Sequence, residues 1–262
     1  MREITSPENP RFRSLVKLLH SSRERRKAGV SLLDGVHLVA AYRQAVGAPE
    51  EVLVSRSRMH DAEIGALLQT LGVEPGVLSD ELFRELSSVT TPTGIIAIVK
   101  TPQALAIPDV PGACVMLEGI QDPGNLGSIM RSTAAAGIGE LYLSRGSVHA
   151  WSPRVLRAGM GAHFALRVYE GADLDSLVAS YPGRVLAAAS DGAAPMYSID
   201  LRGHVALLFG NEGTGLSPGL RTAAHASISI PMPGNAESLN VAAAAAVCLF
   251  ERVRQQAVKG TQ

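Results

Sequence analysis

Cysteine is scarce: the 262 residues contain two, Cys114 and Cys248, in distant parts of the chain. One such pair supports neither a disulfide framework nor a cysteine-ligated metal site, and it suits a reducing compartment. His20, His37, His60, His149, His163, His204 and His225 show no H-x-x-x-H or related ligand spacing, so no metal is expected. No stretch reaches the about 18 consecutive apolar residues of a membrane span. The opening MREITSPENPRFRSL has charges and prolines where a signal peptide needs an apolar core. The expectation is a cytoplasmic protein, neither exported nor membrane-spanning. A phosphate-gripping G-x-x-x-x-G-K-S/T loop is also missing, which argues against nucleotide hydrolysis. Nor is there an excess of either charge, since 24 Lys+Arg balance 24 Asp+Glu.

What is present is an ordinary globular composition, with 46% hydrophobic and 18% charged residues. A chain of this length makes one large or two ordinary domains at about 100–200 residues each. The neutral total hides an asymmetry, because residues 1–30 hold eight Lys/Arg and three acids. Such a basic segment could follow a phosphate backbone or form a solvated helix face, and charge alone allows both. Asn9-Pro10 offers a helix cap followed by proline at the first helical position. Phe12, Leu15, Val16, Leu18 and Leu19 then recur at helical spacing, predicting one helix that runs to Gly29.

Apolar runs at 30–33, 52–54 and 95–99 alternate with helical patterns at 36–46, 62–71 and 80–86, which predicts a smaller α/β domain over residues 1–100. The proline-rich segment TPQALAIPDVPG, residues 101–112, predicts an extended linker. From residue 113 onward, ACVMLEG, ELYLSRG, RVLAAAS, VALLFGNEG and ISIPMPG are strand-like runs that end in turns. They predict a second α/β domain, residues 113–262, built on a mostly parallel sheet flanked by helices. Five alanines between Val241 and Val247 predict a smooth helix, which either lies flat on the sheet or meets another subunit.

Open α/β sheets bind ligands beyond the carboxyl ends of their strands, so chemistry is expected in those turns. The first unusual turn is LEGIQDPGNLG, residues 117–127, feeding a helix predicted over 128–136. Asn125 in the loop and Arg131 on the helix would offer amide and guanidinium donors suited to a phosphodiester. The second is FGNEGTGLSPG, residues 209–219. Its glycines suggest a dinucleotide fingerprint, but Glu212 would then face the pyrophosphate. Its G-x-S-x-G lettering suggests a hydrolase elbow at Ser217. Pro218, however, has no N–H for an oxyanion, and His225 follows too soon for a downstream acid and histidine. Ser217-Pro218 reads better as a plain helix start. The third is ISIPMPGNAESLN, residues 228–240, where two prolines and a glycine stiffen the chain before a polar cluster. One reading makes Ser238 no more than the N-cap of the alanine-rich helix, with Asn240 then merely solvated; the other takes the stiffened segment as a ligand-clamping loop.

Together the three segments resemble the three motifs of the SpoU-type (TrmH-like) RNA ribose 2′-O-methyltransferases of the SPOUT superfamily. Asn125-Leu126-Gly127 with Arg131 is similar to motif one, Phe209 through Gly215 to motif two, and Ile230-Pro231-Met232 through Ser238-Leu239-Asn240 to motif three. The run Ser152 through Ala162 also fits the family, and the resemblance covers residues 113–255. Ile4-Thr5-Ser6 with Asn9-Pro10, and Leu33 through Val39, are similar to the ribosomal-protein-like RNA-binding domain that often precedes the catalytic one, where members commonly have Glu at the place of Asp34.

The resemblance implies a trefoil-knotted C-terminal domain, a homodimer with its active site near the subunit interface, and S-adenosyl-L-methionine as methyl donor. By position, Gly210, Ile230 and Leu239 would give backbone contacts to the donor, with Met232, Phe209 and Gly213 around it. Asn125, Arg131, Glu212, Ser238 and Asn240 would be catalytic, Arg131 anchoring phosphate and ribose and Glu212 orienting Asn125 or Arg131. Ribosomal RNA is expected over transfer RNA, from the separate N-terminal domain and the lack of a long basic extension at 258–262. The alternatives are a tRNA 2′-O-methyltransferase and a non-catalytic RNA-binding assembly factor of the same fold.

Overall fold

A computed structural model describes residues 3–102 and 106–257, so the middle of the expected linker and the tail at 258–262 lie outside the described residues. Two compact units emerge from the contacts, Met1–Gln103 with Trp151–Phe164, and Ala104–Ala150 with Ala165–Gln262.

The first unit runs β1 (Glu3–Ile4), α1 (Pro10–His20), α2 (Ser22–Ala28), β2 (Val30–Asp34), α3 (Val36–Ala45), β3 (Glu51–Ser55), α4 (Ala62–Leu71), β4 (Gly76–Leu78), α5 (Asp80–Leu86) and β5 (Ile95–Lys100). Its sheet has the order β1-β4-β3-β5-β2, with β5 antiparallel to both neighbours. Phe12, Leu15 and Leu18 of α1 and Leu82, Phe83 and Leu86 of α5 bury one sheet face together with Leu32, Leu53, Ile96 and Ile98.

The single helix expected up to Gly29 is two helices. Ser21 is extended (φ −115°, ψ 112°), and its hydroxyl accepts from the Glu24 N–H to cap α2. Arg25 turns back and is buried, donating to the Leu18 and Leu19 carbonyls at 2.6 and 2.9 Å. It thereby satisfies the open carbonyls of α1, which makes the break stable. Burial, with a smaller contribution from Arg26, lowers its pKa. Arg11 pairs with Glu51 and Arg13 with Glu8, while Lys17, Arg23, Arg26 and Lys27 remain exposed. Asp34 is buried at the end of β2, accepting from the Ser87 hydroxyl at 2.7 Å and the Ser88 N–H at 2.9 Å. It ties down the loop that leads to β5, with the Ser87 and Ser88 groups gathered on one oxygen of the shorter acid at this position.

The second unit contains β6 (Cys114–Leu117), α6 (Pro123–Ala135) and β7 (Glu140–Ser144). After α7 (Pro153–Gly159), which clusters with the first unit, come β8 (Arg167–Ala172), α8 (Leu174–Ser180), β9 (Arg184–Ala188), β10 (Ala194–Pro195), β11 (Val205–Phe209), α9 (Pro218–Ala223), β12 (Ala226–Ser229) and α10 (Val241–Ala257). The sheet order is β10-β12-β9-β11-β6-β7-β8, and every pairing is parallel. Strands buried on both faces explain the nearly continuous apolar runs at Cys114–Leu117 and Val205–Phe209.

Side chains alternate across the sheet. Cys114, Met116, Ala206 and Leu208 join Leu174, Leu177, Val178 and Leu220 on the face covered by α8 and α9. On the other side α10 packs along α6, so the alanine-rich helix lets another helix approach closely. Tyr142 stacks on Tyr169 with ring centroids 4.6 Å apart and donates to the buried Glu140 carboxylate at 3.0 Å. Strands β8 and β10 are additional to the expected ones. No helix among the described residues is long and apolar enough to cross a membrane.

Candidate active site

All three unusual turns follow carboxyl ends of strands in the parallel sheet. The first follows β6 and the second follows β11, its direct neighbour; the third leaves β12 and climbs to α10. Because α10 lies along α6, the start of α10 returns to the start of α6.

Asn125 stands in the first turn of α6 rather than in a loop before it. Asp122 caps that helix by accepting from the Asn125 N–H at 2.7 Å, and Pro123 occupies the first helical position. The helix therefore begins five residues earlier than the spacing predicted, at Pro123 instead of Ser128. Asp122-Pro123 carries the same cap-proline signal as Asn9-Pro10.

One chain of hydrogen bonds joins the three turns. Glu212 accepts from the Asn125 side-chain amide at 3.1 Å and from the backbone N–H groups of Asp122 and Gln121 at 3.1 and 3.3 Å. The Asn125 carbonyl oxygen accepts from the Asn240 amide at 2.9 Å. Asn240 in turn caps α10, its oxygen accepting from the Ala242 and Ala243 N–H groups at 2.9 and 3.3 Å. Burial acts to raise the Glu212 pKa, but the hydrogen bonds from Asn125 and the backbone outweigh it and lower the value. An ionised acceptor thus fixes the Asn125 amide in one orientation.

A cavity of about 530 Å³ opens beside this relay. Asn125, Glu212, Ser238 and Asn240 line it, and so do Phe209, Gly210, Gly213, Ile230, Met232 and Leu239. Glycine is required at position 210, since a Cβ there would fall 2.2 Å from the Gly215 carbonyl carbon and 2.3 Å from the Leu216 nitrogen. The second turn doubles back on itself through paired Asn211–Gly215 backbone bonds of 3.0 and 2.9 Å. Asn211 holds it to the first turn by donating to the Gly119 carbonyl at 2.7 Å, and Glu118 does so by accepting from the Ser217 N–H at 2.7 Å.

Six site residues carry corrections or additions. Ser238 lines the cavity but does not cap α10, because Asn240 is closer to the helix start and takes that role. Asn240 is consequently a structural partner of Asn125 and not merely solvated. Glu212 engages Asn125, while Arg131 is exposed further along α6, outside the cavity lining and without an ion pair among the described residues. Asp191 and Arg221, not singled out by the sequence, also line the cavity and form an ion pair of 2.9 Å. Their only signal is the fold, since one follows β9 and the other lies on α9.

The hydrolase geometry is absent. Ser217 caps α9 by accepting from the Leu220 N–H at 3.4 Å, and the His225 Nδ1 accepts from the Val185 N–H at 3.1 Å. No group of three or more His, Cys, Asp or Glu side chains suited to a metal occurs among the described residues.

Residues 112–250 match the model of the SpoU rRNA methylase family, and residues 9–97 match the MRM3-like substrate binding domain. The 23S rRNA (guanosine(2553)-2′-O)-methyltransferase RlmP of Bacillus subtilis is 31% identical over 95% of this chain and 98% of its own length. A 23S rRNA (uridine(2479)-2′-O)-methyltransferase of Streptomyces viridochromogenes is also 31% identical, over 97% of this chain and 93% of its own. The crystal structure of the SpoU methyltransferase AviRb from Streptomyces viridochromogenes, in complex with the cofactor AdoMet, superposes with a TM-score of 0.83 at 27% identity, covering 95% of this chain and all of that one. With its three motif turns gathered around one cavity and relatives that align nearly end to end, the chain belongs to the SpoU rRNA methylase family.

Proposed function

We propose that the chain is an S-adenosyl-L-methionine-dependent RNA 2′-O-ribose methyltransferase acting on ribosomal RNA. The observation that carries this reading is the Glu212–Asn125–Asn240 relay at the edge of the cavity, where each of the three motifs contributes one member. The cavity fits such a donor. Its volume lies within the about 300–1,000 Å³ range of small-ligand sites. Phe209, Ile230, Met232 and Leu239 provide apolar walls, and Gly210 exposes backbone. When bound, the donor supplies an electrophilic methyl group on a sulfonium centre.

The chain's own residues supply placement. Asn125, with its amide fixed at both ends, presents its remaining hydrogen-bond capacity in one direction toward an acceptor ribose. Arg131, an exposed guanidinium on the same helix, anchors the neighbouring phosphate. A guanidinium offers donors and no acceptor, so its part is to anchor and not to take up a proton. Positioning of this kind lowers a bimolecular barrier by up to about 7–11 kcal/mol. The smaller α/β domain, residues 1–100, holds the RNA substrate; residues 101–112 link it to a catalytic domain spanning 113–262. That assignment is supported by the match to a substrate binding domain and by the exposed Lys17, Arg23, Arg26 and Lys27.

A homodimer and a knotted C-terminal chain complete the proposal. Half-exposed Phe250 on α10 supports the first, and the return of α10 onto α6 after the third turn supports the second. A cytoplasmic location accords with two buried free thiols.

Two measurements test the function together. Calorimetric titration of the purified chain with S-adenosyl-L-methionine is expected to give saturable binding. Mapping 2′-O-methyl groups in ribosomal RNA from cells with and without the gene is expected to reveal one that depends on it. RNA binding without donor binding would instead make the chain an assembly factor, and a missing methyl in transfer RNA would move the substrate class.

A further inference from the structure

Three charged side chains line the cavity: Glu212, Asp191 and Arg221. Glu212 is committed to Asn125 and two backbone N–H groups. Asp191 and Arg221 remain, with opposite charges side by side at 2.9 Å. Asp191 follows β9 and Asn125 follows β6, and β11 lies between those strands, so the ion pair and the relay occupy different parts of the cavity rim. The apolar residues Phe209, Ile228, Ile230 and Met232 line the same cavity.

A sulfonium methyl donor has a neutral adenosine, a reactive centre and a zwitterionic amino-acid end. The neutral part suits apolar walls and backbone groups. The amino-acid end carries a carboxylate and an ammonium on one carbon, and it is matched by a cation and an anion held next to each other. Resting on the methyltransferase reading, we propose that the Arg221–Asp191 pair clamps the amino-acid end of the donor, Arg221 receiving the carboxylate through its guanidinium fork and Asp191 receiving the ammonium. The pair can open to admit it, because its side chains are 38% and 70% exposed and such pairs are weakly held. Neither residue belongs to the three motif turns themselves.

The test compares two ligands that share the adenosine thioether and differ in the amino acid: S-adenosylhomocysteine, which has it, and 5′-methylthioadenosine, which lacks it. Calorimetry on the full chain is expected to show tighter binding of the first. Arg221→Ala and Asp191→Asn should weaken S-adenosylhomocysteine about tenfold or more. Binding of 5′-methylthioadenosine should persist, which also reports that the cavity is folded. Arg221→Lys, which keeps the charge but loses the fork, should fall between wild type and Arg221→Ala. Parallel weakening of both ligands, no weakening of either, or no wild-type preference would each overturn the clamp. A wild-type chain that binds neither ligand would overturn the methyltransferase reading itself, a result distinct from those three.

Discussion

Replacing Glu212 by Gln tests whether the relay orients Asn125. The carboxylate accepts three hydrogen bonds, two at one oxygen, from Asn125 and Asp122, and one at the other, from the Gln121 N–H. A glutamine amide keeps shape but has only one accepting oxygen. In its better orientation that oxygen serves Asn125 and Asp122, which leaves its NH₂ group facing the Gln121 N–H. One charge-assisted bond is lost and two donors oppose each other, at a cost of about 1.5–3 kcal/mol. If that loss falls on the reacting geometry, turnover drops roughly 10- to 150-fold.

The assay is single-turnover methyl transfer from radiolabelled S-adenosyl-L-methionine to unmodified ribosomal RNA, alongside calorimetric donor affinity. The expected pattern is a lower rate with donor affinity changed by less than about threefold, since uniform binding is untouched. Glu212 titrates below the ordinary carboxylate range. Its contribution is therefore complete above that range and is lost only as pH falls through the lowered value. The loss in Glu212→Gln should accordingly be constant between about pH 6 and 8. Full-rate transfer by this variant, or a defect confined to donor affinity, would refute the orienting role.

Gly210→Ala should cut donor affinity by about tenfold or more, because the added methyl displaces the backbone at Gly215 and Leu216; equilibrium dialysis reads the change. Arg131→Lys retains charge without the planar fork, so methyl transfer should fall at least about tenfold while calorimetry shows intact donor binding. Acid stability should report Glu251, whose carboxyl is drawn down to about 2 by Arg254 and then Gln255, against the effect of burial. The lowered value means stabilisation that is present above the ordinary glutamate range and lost as pH falls toward about 2. The melting-temperature gap between wild type and Glu251→Gln should narrow over that interval.

The elements that were legible in the sequence were those with enough residues to show a period. Strands β2, β3, β5, β6, β7, β9 and β11 appear as apolar runs, because a strand buried on both faces has no polar side to hide it; β12, Ala226–Ser229, is mostly half-buried and overlaps the expected run only at Ile228 and Ser229. Strands β1 and β10 have two residues each and β4 has three, too few for any alternation to register. Strand β8, Arg167–Ala172, is exposed at half its positions, as expected of a strand at the sheet edge. The break at Ser21 was hidden because Arg25 looks like one more surface cation until its guanidinium is seen on the α1 carbonyls.

At the site, motif order brought Asn125, Glu212 and Asn240 into one hypothesis, and the fold joins them directly. Which of Ser238 and Asn240 would cap α10 is decided by a shift of two residues, which composition does not register. Asp191 and Arg221 are paired only because β9 and α9 converge, and no local pattern announces that.

The relay also has a consequence for biosynthesis. Its bonds span sequence separations of 87 residues between Asn125 and Glu212 and 115 between Asn125 and Asn240. A ribosome therefore delivers the first member long before the last, and the emerging polypeptide cannot assemble a competent centre until the α10 region leaves the exit tunnel. Closing such long loops is slow. An enzyme whose proposed target is the ribosome's own RNA would thus stay inert until that last segment has emerged.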